Sequence, residues 1–251
     1  MSITPIKAFT EHDTVSLTDD KKEQKYVHDV YQAIAPHFSQ TRYKPWPVVE
    51  QFLNSLDIGS IGADIGCGNG KYLGINKNIY MVGSDRSSKL IEISVSRGHE
   101  GIICDALNLP FRSECFVSFL QTDFVISIAV IHHFTTFERR FAAIKELFRI
   151  TRPGSYILIY VWALEQSNEA RRKFDKEQQD VFVPWVIPAD KNNQDKKEII
   201  YNRYYHLFKK GELDELIEST GIAQIVKTDY DKDNWYVIAR KEGSENEIDK
   251  K

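Results

Sequence analysis

A glycine-rich loop directly follows a short apolar stretch in this chain, at residues 63–74, ADIGCGNGKYLG. Glycine has no side chain, so a loop of this composition lets a small molecule lie against bare backbone. Within this stretch Asp64 comes shortly before the first glycine, and every second residue from 66 to 70 is a glycine: Gly66, Gly68 and Gly70. A ligand that carries phosphate would indicate hydride or phosphoryl transfer. A ligand without phosphate would indicate a different reaction.

The spacing of the loop excludes the two common phosphate-binding motifs. The dinucleotide motif GxGxxG requires a third glycine where this chain has Lys71, because that glycine allows the next helix to pack closely. The nucleotide motif GxxxxGK[ST] requires serine or threonine after the lysine, but Tyr72 follows Lys71. Asp64 would also repel a pyrophosphate, so we expect a ligand without one.

Two further acids stand at corresponding places along the chain. Asp85 ends the stretch IYMVGSD, and Asp105 follows the stretch GIIC. The carboxyl ends of neighbouring parallel strands meet at one crevice, where a carboxylate binds ribose hydroxyls. Three acids there suit a nucleoside that bears an ammonium and a sulfonium, which predicts S-adenosylmethionine. The alternative is that the glycines only make turns and the acids only cap helices. The predicted cofactor-binding residues are Asp64, Gly66, Gly68, Gly70, Asp85, Arg86, Asp105, Ala106 and Ser127.

Alternating strand and helix patterns explain how these residues could meet. Strands are predicted at 61–65, 79–84, 100–104, 123–130 and 156–162, with a terminal hairpin of 222–230 and 234–241. Helices are predicted at 20–38, 48–56, 87–97, 137–148 and 211–220. This alternation predicts an α/β fold, a parallel sheet covered by helices on both faces. We expect a loose arm over 1–19, a single domain over 20–241 with a rim insertion near 165–200, and a polar tail over 242–251.

Composition narrows the class of protein. The 251 residues are 42% hydrophobic and 27% charged, as in ordinary globular proteins, and the net charge of −3 argues against a broad basic face for nucleic acid. A local basic patch stays compatible with that charge. The three cysteines, Cys67, Cys104 and Cys115, lack the CxxC spacing of zinc sites, so neither a metal site nor disulfides are predicted. We expect a cytoplasmic protein without a membrane span, with the nucleus as a second location.

Longer stretches resemble a known family. These stretches span residues 26–241 and include YVHDVYQAIAPHFSQTRYKPWP, DIGCGNGKYLG, VGSDRS, SIAVIHHF, IYVWALEQ, VFVPW, RYYHLF and DNWYVIARK. On these stretches the chain resembles class I, Rossmann-like methyltransferases, and within them the eukaryotic tRNA wobble-uridine carboxymethyl methyltransferases. About six additional residues at 117–122 and Ser155 in RPGS depart from the family pattern.

The resemblance implies a fold, a reaction and a partner. The fold is a seven-stranded, mostly parallel sheet of order 3-2-1-4-5-7-6, with helical additions before it. The reaction is methylation of the carboxylate of 5-carboxymethyluridine, or its 2-thio form, at the tRNA wobble position, with S-adenosylmethionine as cofactor. The partner is a small zinc-binding activator subunit, which we expect to dock on the edge strand at 100–105. The rivals are a class I methyltransferase for a small carboxylic acid or lipid, and a catalytically silent scaffold.

An acceptor that is a carboxylate places specific demands on the chain. It is already ionised at neutral pH, so no general base is required, only cations or donors that position it. The predicted catalytic residues are Arg42, His133, Arg203, Tyr204 and His206. Trp46 could stack on a base or anchor a helix, and Arg139 and Arg140 could contact RNA phosphate or form solvated surface.

Overall fold

The computed structural model describes residues 7–8, 17–111, 122–170, 172–189 and 197–243. The strands in these ranges are β1 (Lys7–Ala8), β2 (Ile61–Ile65), β3 (Tyr80–Asp85), β4 (Gly101–Ile103), β5 (Thr122–Ile128), β6 (Thr151–Trp162), β7 (Asp180–Ile187), β8 (Ile199–His206), β9 (Ala223–Asp231) and β10 (Asn234–Lys241). The helices are α1 (Asp19–Glu23), α2 (Asp29–Thr41), α3 (Pro47–Asn54), α4 (Ser88–Ser96), α5 (Phe137–Ile150) and α6 (Glu212–Glu218), with a π-helix at Gln24–His28 and a 3₁₀ turn at Ile131–His133.

The larger sheet has seven strands in the order β4-β3-β2-β5-β6-β10-β9. Strands β2 to β6 pair in parallel, whereas β10 runs antiparallel to both β6 and β9. Counted along its own strands the order is 3-2-1-4-5-7-6, so the predicted topology and the terminal hairpin are confirmed. The two edges of this sheet are β4 and β9.

Alternation of side chains along the central strands builds a core on each face of the sheet. Ile157 and Ile159 of β6 pack with residues of α5 and α6 on one face. Leu158 and Tyr160 of the same strand pack with residues of α3 and α4 on the other. Strands that are buried on both faces must be almost continuously apolar, which the stretch YILIYVW is. The predicted coverage by helices on both faces is therefore confirmed.

The N-terminal helical addition forms one continuous rod. The π-helix joins α1 to α2 without a break, since the residues at both junctions, Glu23, Gln24, His28 and Asp29, keep helical backbone angles. Pro36 lies inside α2, and the helix continues past it to Thr41, beyond the predicted end at residue 38. Ile34 and Ala35 are fully buried, so this rod packs against the domain along one face.

A second sheet, of order β1-β7-β8, was not expected from the sequence. Strand β7 lies within the range predicted as a rim insertion, yet Val183 in it is fully buried and Trp185 packs against Val30 and Ile34 of α2. Part of the predicted loose arm, Lys7–Ala8, pairs with β7. Strand β8 runs antiparallel to β7 and places residues 203–206 next to the larger sheet's strand ends.

The structure describes little of the additional segment that precedes the fourth strand in the chain order of the larger sheet. Of the additional segment at 117–122, Thr122 alone is described, and it begins β5. None of the helices in the described ranges combines the length and the hydropathy that crossing a bilayer requires.

Candidate active site

A cavity lies at the carboxyl ends of the parallel strands, under the N-terminal rod. Its wall includes the glycine loop after β2, the ends of β3 and β4, and residues 128–130 after β5. The rod contributes Val27, His28 and Tyr31, and the second sheet contributes Arg203 and Tyr205. The cavity is therefore shared between the predicted cofactor crevice and elements that are distant from it in sequence.

The glycine loop has the backbone that only glycine adopts easily. Gly66 and Gly68 both have positive φ, +81° and +56°, and a Cβ on Gly66 would lie 2.2 Å from a methyl of Val130. The Gly68 N–H donates to Asp85 Oδ2 over 3.0 Å, which ties the loop to the end of β3. Both glycines line the cavity, as expected.

Two predicted cofactor residues do not line the cavity. A Cβ on Gly70 would lie 2.2 Å from the Ser94 hydroxyl, so this glycine permits close packing against α4 instead. Ser127 lies within β5 and is fully buried; the cavity wall begins one residue later, with Ile128. The structure does not place Gly70 or Ser127 on the cavity wall, because spacing along the chain does not reveal which side of the loop or strand a residue faces.

Asp64 presents a buried acid to the cavity. Its side chain is 1% exposed, and neither carboxylate oxygen has a hydrogen-bond partner among the described residues. Burial raises the pKa of Asp64 to about 8; the nearby Lys71 acts against this rise, and Asp85 adds to it. Burial likewise lowers the pKa of Lys71 to about 8. An uncompensated carboxyl of this kind is suited to a ligand that brings a positive charge.

Asp85 and Asp105 lie on the same cavity wall, and each can accept further hydrogen bonds. Asp85 accepts the backbone N–H of Gly68 and of Ser87, and burial raises its pKa. Asp105 Oδ2 accepts Arg86 Nη1 at 2.7 Å, and Asp105 Oδ1 accepts the N–H of Leu107. Each carboxylate oxygen has two lone pairs, so both acids can still accept from hydroxyl or amine groups. Arg86 and Ala106 line the cavity as predicted.

On the opposite side, Arg203 is buried among aromatic hydroxyls. Its side chain lines the cavity, and Nη1 donates to Tyr205 OH at 2.7 Å and to Tyr31 OH at 3.3 Å. Burial acts to lower the pKa of Arg203, but the two tyrosines outweigh it and the pKa is raised. Arg203 therefore carries a permanent positive charge inside the cavity wall.

His133 fixes the direction of the hydrogen bonds around Tyr31. Its Nδ1 lies 2.9 Å from the Tyr204 carbonyl, which can only accept, so Nδ1 carries the hydrogen. Burial lowers the pKa of His133 to about 3, which keeps the ring neutral. The remaining nitrogen, Nε2, must therefore accept from Tyr31 OH, 3.0 Å away. His133 lines the cavity but has no proton to exchange near neutral pH.

Tyr204 and His206, predicted beside Arg203, lie on the other face of β8. Successive strand residues point to opposite sides, so Arg203 and Tyr205 share the cavity face. The Tyr204 hydroxyl donates to Asp180, and His206 lies between Asp180 and Glu212. These hydrogen bonds raise the pKa of His206 against the effect of burial. The network joins β7, β8 and α6, so the structure does not place these two residues on the cavity wall where the acceptor is expected.

Four further predicted candidates have mixed outcomes. Arg42 lines the cavity from its exposed rim, with its guanidinium 5.4 Å from the ring of Trp185. Trp46 lines the cavity and packs against Tyr160, so both of its proposed roles remain compatible. Arg139 and Arg140 do not form a phosphate site. Arg139 pairs with Glu23, and Arg140 is buried and donates to the Phe134 carbonyl.

Some cavity residues could not be selected from the sequence, although signals existed. Tyr205 shares its strand face with Arg203, which the two-residue period of a strand would have shown. Ala129, which lines the cavity, has φ of +63°, a conformation rare outside glycine and frequent at functional sites. Tyr31 reaches the site only because the N-terminal rod packs over it, and no local pattern encodes that contact.

Comparison with known proteins identifies the family. A family model described as a methyltransferase domain matches residues 63–159. A Schizosaccharomyces pombe protein named tRNA (carboxymethyluridine(34)-5-O)-methyltransferase is 50% identical over 230 residues, which cover 87% of this chain and 97% of that protein.

Solved structures share the fold. An S-adenosylmethionine-dependent methyltransferase from Clostridium acetobutylicum aligns with a TM-score of 0.61 at 11% identity, over 85% of this chain and all of that one (100%). A putative methyltransferase in complex with the Trm112 methyltransferase activator of Haloferax volcanii aligns with a TM-score of 0.58 at 14% identity, over 85% of this chain and 98% of that chain. Given the 50% identity across nearly the whole length of the yeast relative, the chain belongs to the tRNA (carboxymethyluridine(34)-5-O)-methyltransferase family.

Proposed function

We propose that this protein methylates the carboxylate of 5-carboxymethyluridine, or of its 2-thio form, at the wobble position of tRNA. The methyl donor is S-adenosylmethionine and the product is the methyl ester. The proposal rests on the family and on the chemistry of the cavity together, since the fold alone is compatible with many acceptors.

The observation that carries the proposal is the division of charge within one cavity. Buried acids, among them Asp64 and Asp85, occupy the wall formed by the parallel strands. The permanent cation Arg203 occupies the wall formed by the second sheet. A cationic methyl donor and an anionic methyl acceptor would thereby be held on opposite walls of one cavity.

The residues of the first wall fit the cofactor. The unpartnered oxygens of Asp64 are placed to bind a cationic group, and Asp85 and Asp105 have lone pairs available for hydroxyl or amine donors. Gly66, Gly68 and Ala106 let a ligand approach the backbone. When bound, S-adenosylmethionine supplies a methyl group activated on a positively charged sulfur.

The residues of the second wall orient the acceptor and exclude water. An ionised carboxylate needs no general base, which agrees with a neutral His133 that donates from Nδ1 to the Tyr204 carbonyl and accepts at Nε2 from Tyr31. Apolar side chains of the rod, Val27 and Phe38, cover the cavity. A dry and oriented site favours a reaction in which opposite charges cancel.

The test is methyl transfer from labelled S-adenosylmethionine to tRNA isolated from cells that lack this gene. We expect label in the methyl ester of the wobble nucleoside and none in tRNA from cells that carry the gene. Label that enters free small carboxylic acids but not the tRNA would identify the rival activity instead.

We also propose a partner, a small zinc-binding activator that docks on β4. Strand β4 is an edge of the larger sheet, and it is neither bulged nor protected by charge within Gly101–Ile103. The side chains of Ile103 and of Val95 in α4 are 57% and 50% exposed. Backbone pairing with an added strand would satisfy this edge, and a fold neighbour is solved in complex with a methyltransferase activator.

A further inference from the structure

Arg203 differs from the arginines that form ion pairs in the described ranges, and it differs from the buried Arg140, which has no ion pair either, in that it lines the cavity. Arg139 and Arg149 each pair with a glutamate, and Arg86 pairs with Asp105. Arg203 is 3% exposed, yet no acidic side chain in the described ranges forms an ion pair with it, and its Nε has no hydrogen-bond partner. A buried charge without a counter-charge is costly, so its retention calls for a partner that arrives from outside.

Aromatic rings hold the guanidinium in one orientation. Its central carbon lies 4.8 Å from the ring centroid of Trp185 and 5.1 Å from that of Tyr205. Tyr31 donates its hydrogen to His133, so its oxygen can only accept from Arg203. The oxygen of Tyr205 accepts from Arg203 as well, and the Tyr205 hydroxyl donates to Tyr31 OH, 3.3 Å away, because Tyr31 has no hydrogen left to give. This hydroxyl can rotate about its C–O bond to donate to a ligand, and the Nε–H of Arg203 still has no acceptor.

We propose that Arg203, assisted by the Tyr205 hydroxyl, is the receptor for the carboxylate of the acceptor nucleoside and makes the site select that acid over its neutral carboxamide. This assignment rests on the proposed function. Of the other cations on the cavity wall, Arg86 is paired with Asp105, Lys71 lies near Asp64, and Arg42 is exposed to solvent at the rim, where water screens its charge. A carboxamide would bring an N–H group to a guanidinium, which has donors and no acceptor.

The same contact explains how the product leaves. Methylation converts the carboxylate into a neutral ester, so the charge that Arg203 binds disappears with the reaction. The ester retains acceptor oxygens but loses the charge-assisted hydrogen bonds, which are about twice as strong as neutral ones. The acid should therefore bind tightly, and the carboxamide and the methyl ester should both bind weakly.

The test compares anticodon stem-loops that carry the acid, the carboxamide or the methyl ester at the wobble uridine. Binding is measured by fluorescence anisotropy with the protein in complex with its activator and saturated with S-adenosylhomocysteine. We expect the wild type to bind the acid at least about tenfold more tightly than either neutral form. Arg203→Met should bind all three alike, with affinity for S-adenosylhomocysteine changed less than about twofold.

Arg140→Met is the matched control, because Arg140 is also a buried arginine but does not line the cavity. It should keep the preference for the acid and lower the melting temperature, since it removes the hydrogen bond to the Phe134 carbonyl. Arg203→Met also removes hydrogen bonds, those to Tyr31 and Tyr205, so both variants should melt at a lower temperature, and only Arg203→Met should lose the preference for the acid. Arg203→Lys, which keeps the charge without the planar fork, should keep part of the preference.

The outcomes separate the two proposals. If Arg203→Met or, should that variant not fold, Arg203→Lys still prefers the acid to the full wild-type extent, Arg203 is not the receptor. Equal binding of all three stem-loops by the wild type also overturns the assignment. If the wild-type complex transfers no methyl to the acid stem-loop in a parallel assay, the proposed function itself fails.

Discussion

Asp64 couples cofactor binding to pH, because its carboxyl is buried without a partner and has a pKa of about 8. A ligand that brings a cation binds the ionised form. As pH rises from 6 to 8 the free protein holds more of that form, so affinity should increase by up to about tenfold per pH unit and level off above 8. Calorimetry with S-adenosylhomocysteine at several pH values measures this slope. Asp64→Asn should bind weakly with no slope, and a slope that persists in this variant would exclude Asp64 as its source.

The same carboxyl should make the ligand-free protein less stable as pH rises. The pKa of Asp64 is higher in the folded chain than the ordinary aspartate value of 3.8, so between pH 4 and 8 the folded state holds the extra proton. Stability from this group is complete below pH 4 and falls as pH rises toward 8. Asp64→Asn should therefore melt at a higher temperature than the wild type at pH 8, and at a similar temperature at pH 4.5. Equal melting curves at pH 8 would contradict the buried, unpartnered state.

Arg42 offers a separate prediction on the acceptor side. It lines the rim of the cavity, whereas its neighbour Lys44 is exposed and does not line it. Arg42→Ala should lower kcat/KM for tRNA roughly tenfold, the effect of one charge-assisted hydrogen bond, and leave the affinity for S-adenosylhomocysteine unchanged. Lys44→Ala is the matched control and should retain most activity. Equal losses of tRNA turnover and cofactor affinity in Arg42→Ala would mean that the loop only covers the cofactor.

At the scale of elements, a buried acid at the start of the N-terminal rod is one of the contacts that hold the rod over the cavity. Glu23 is 1% exposed and accepts from Thr135 N–H and from both Nε and Nη2 of Arg139. Glu23→Gln leaves Arg139 without its buried partner and should reduce the free energy of unfolding by roughly 3 kcal/mol. Asp20→Asn is the control, because the exposed Asp20 pairs with the same Arg139 and should contribute under about 1 kcal/mol. Chemical denaturation measures both; similar losses would show that Glu23 does not hold the rod.

The cofactor side of the site could be predicted from the sequence because its determinants are local. Gly66 and Gly68 need positive φ within one loop, and Asp64, Asp85 and Asp105 lie at or near strand ends that a parallel sheet must bring together. The acceptor side depends on contacts between distant segments. Strand β7 contains Pro184 and follows a polar stretch, so local propensity favoured a loop, and it becomes a strand by pairing with β8.

At the scale of the whole molecule, the second sheet and the rod convert a common fold into a specific site. The seven-stranded sheet supplies the acids and the glycine loop, which many methyltransferases of this fold could share. The rod supplies Tyr31 and the second sheet supplies Arg203 and Tyr205, and these three meet only in the complete chain. With a net charge of −3, the protein lacks an overall attraction for tRNA, so binding must come from local cations such as Arg42 or from a partner.

The edges of the larger sheet give a direct test of where the activator docks. Both edge strands expose an apolar side chain, Ile103 on β4 at 57% and Val226 on β9 at 54%. Ile103→Lys places a charge in the proposed interface and should abolish co-purification with the activator, because a buried lysine without a partner is strongly unfavourable. Val226→Lys makes the same change at the opposite edge and should co-purify in full yield.

The activator should also raise the melting temperature of the wild type and of Val226→Lys but not of Ile103→Lys, since a ligand stabilises only the state that it binds. Co-purification of Ile103→Lys at the wild-type level would exclude β4 as the docking strand, and loss in Val226→Lys alone would assign the activator to β9.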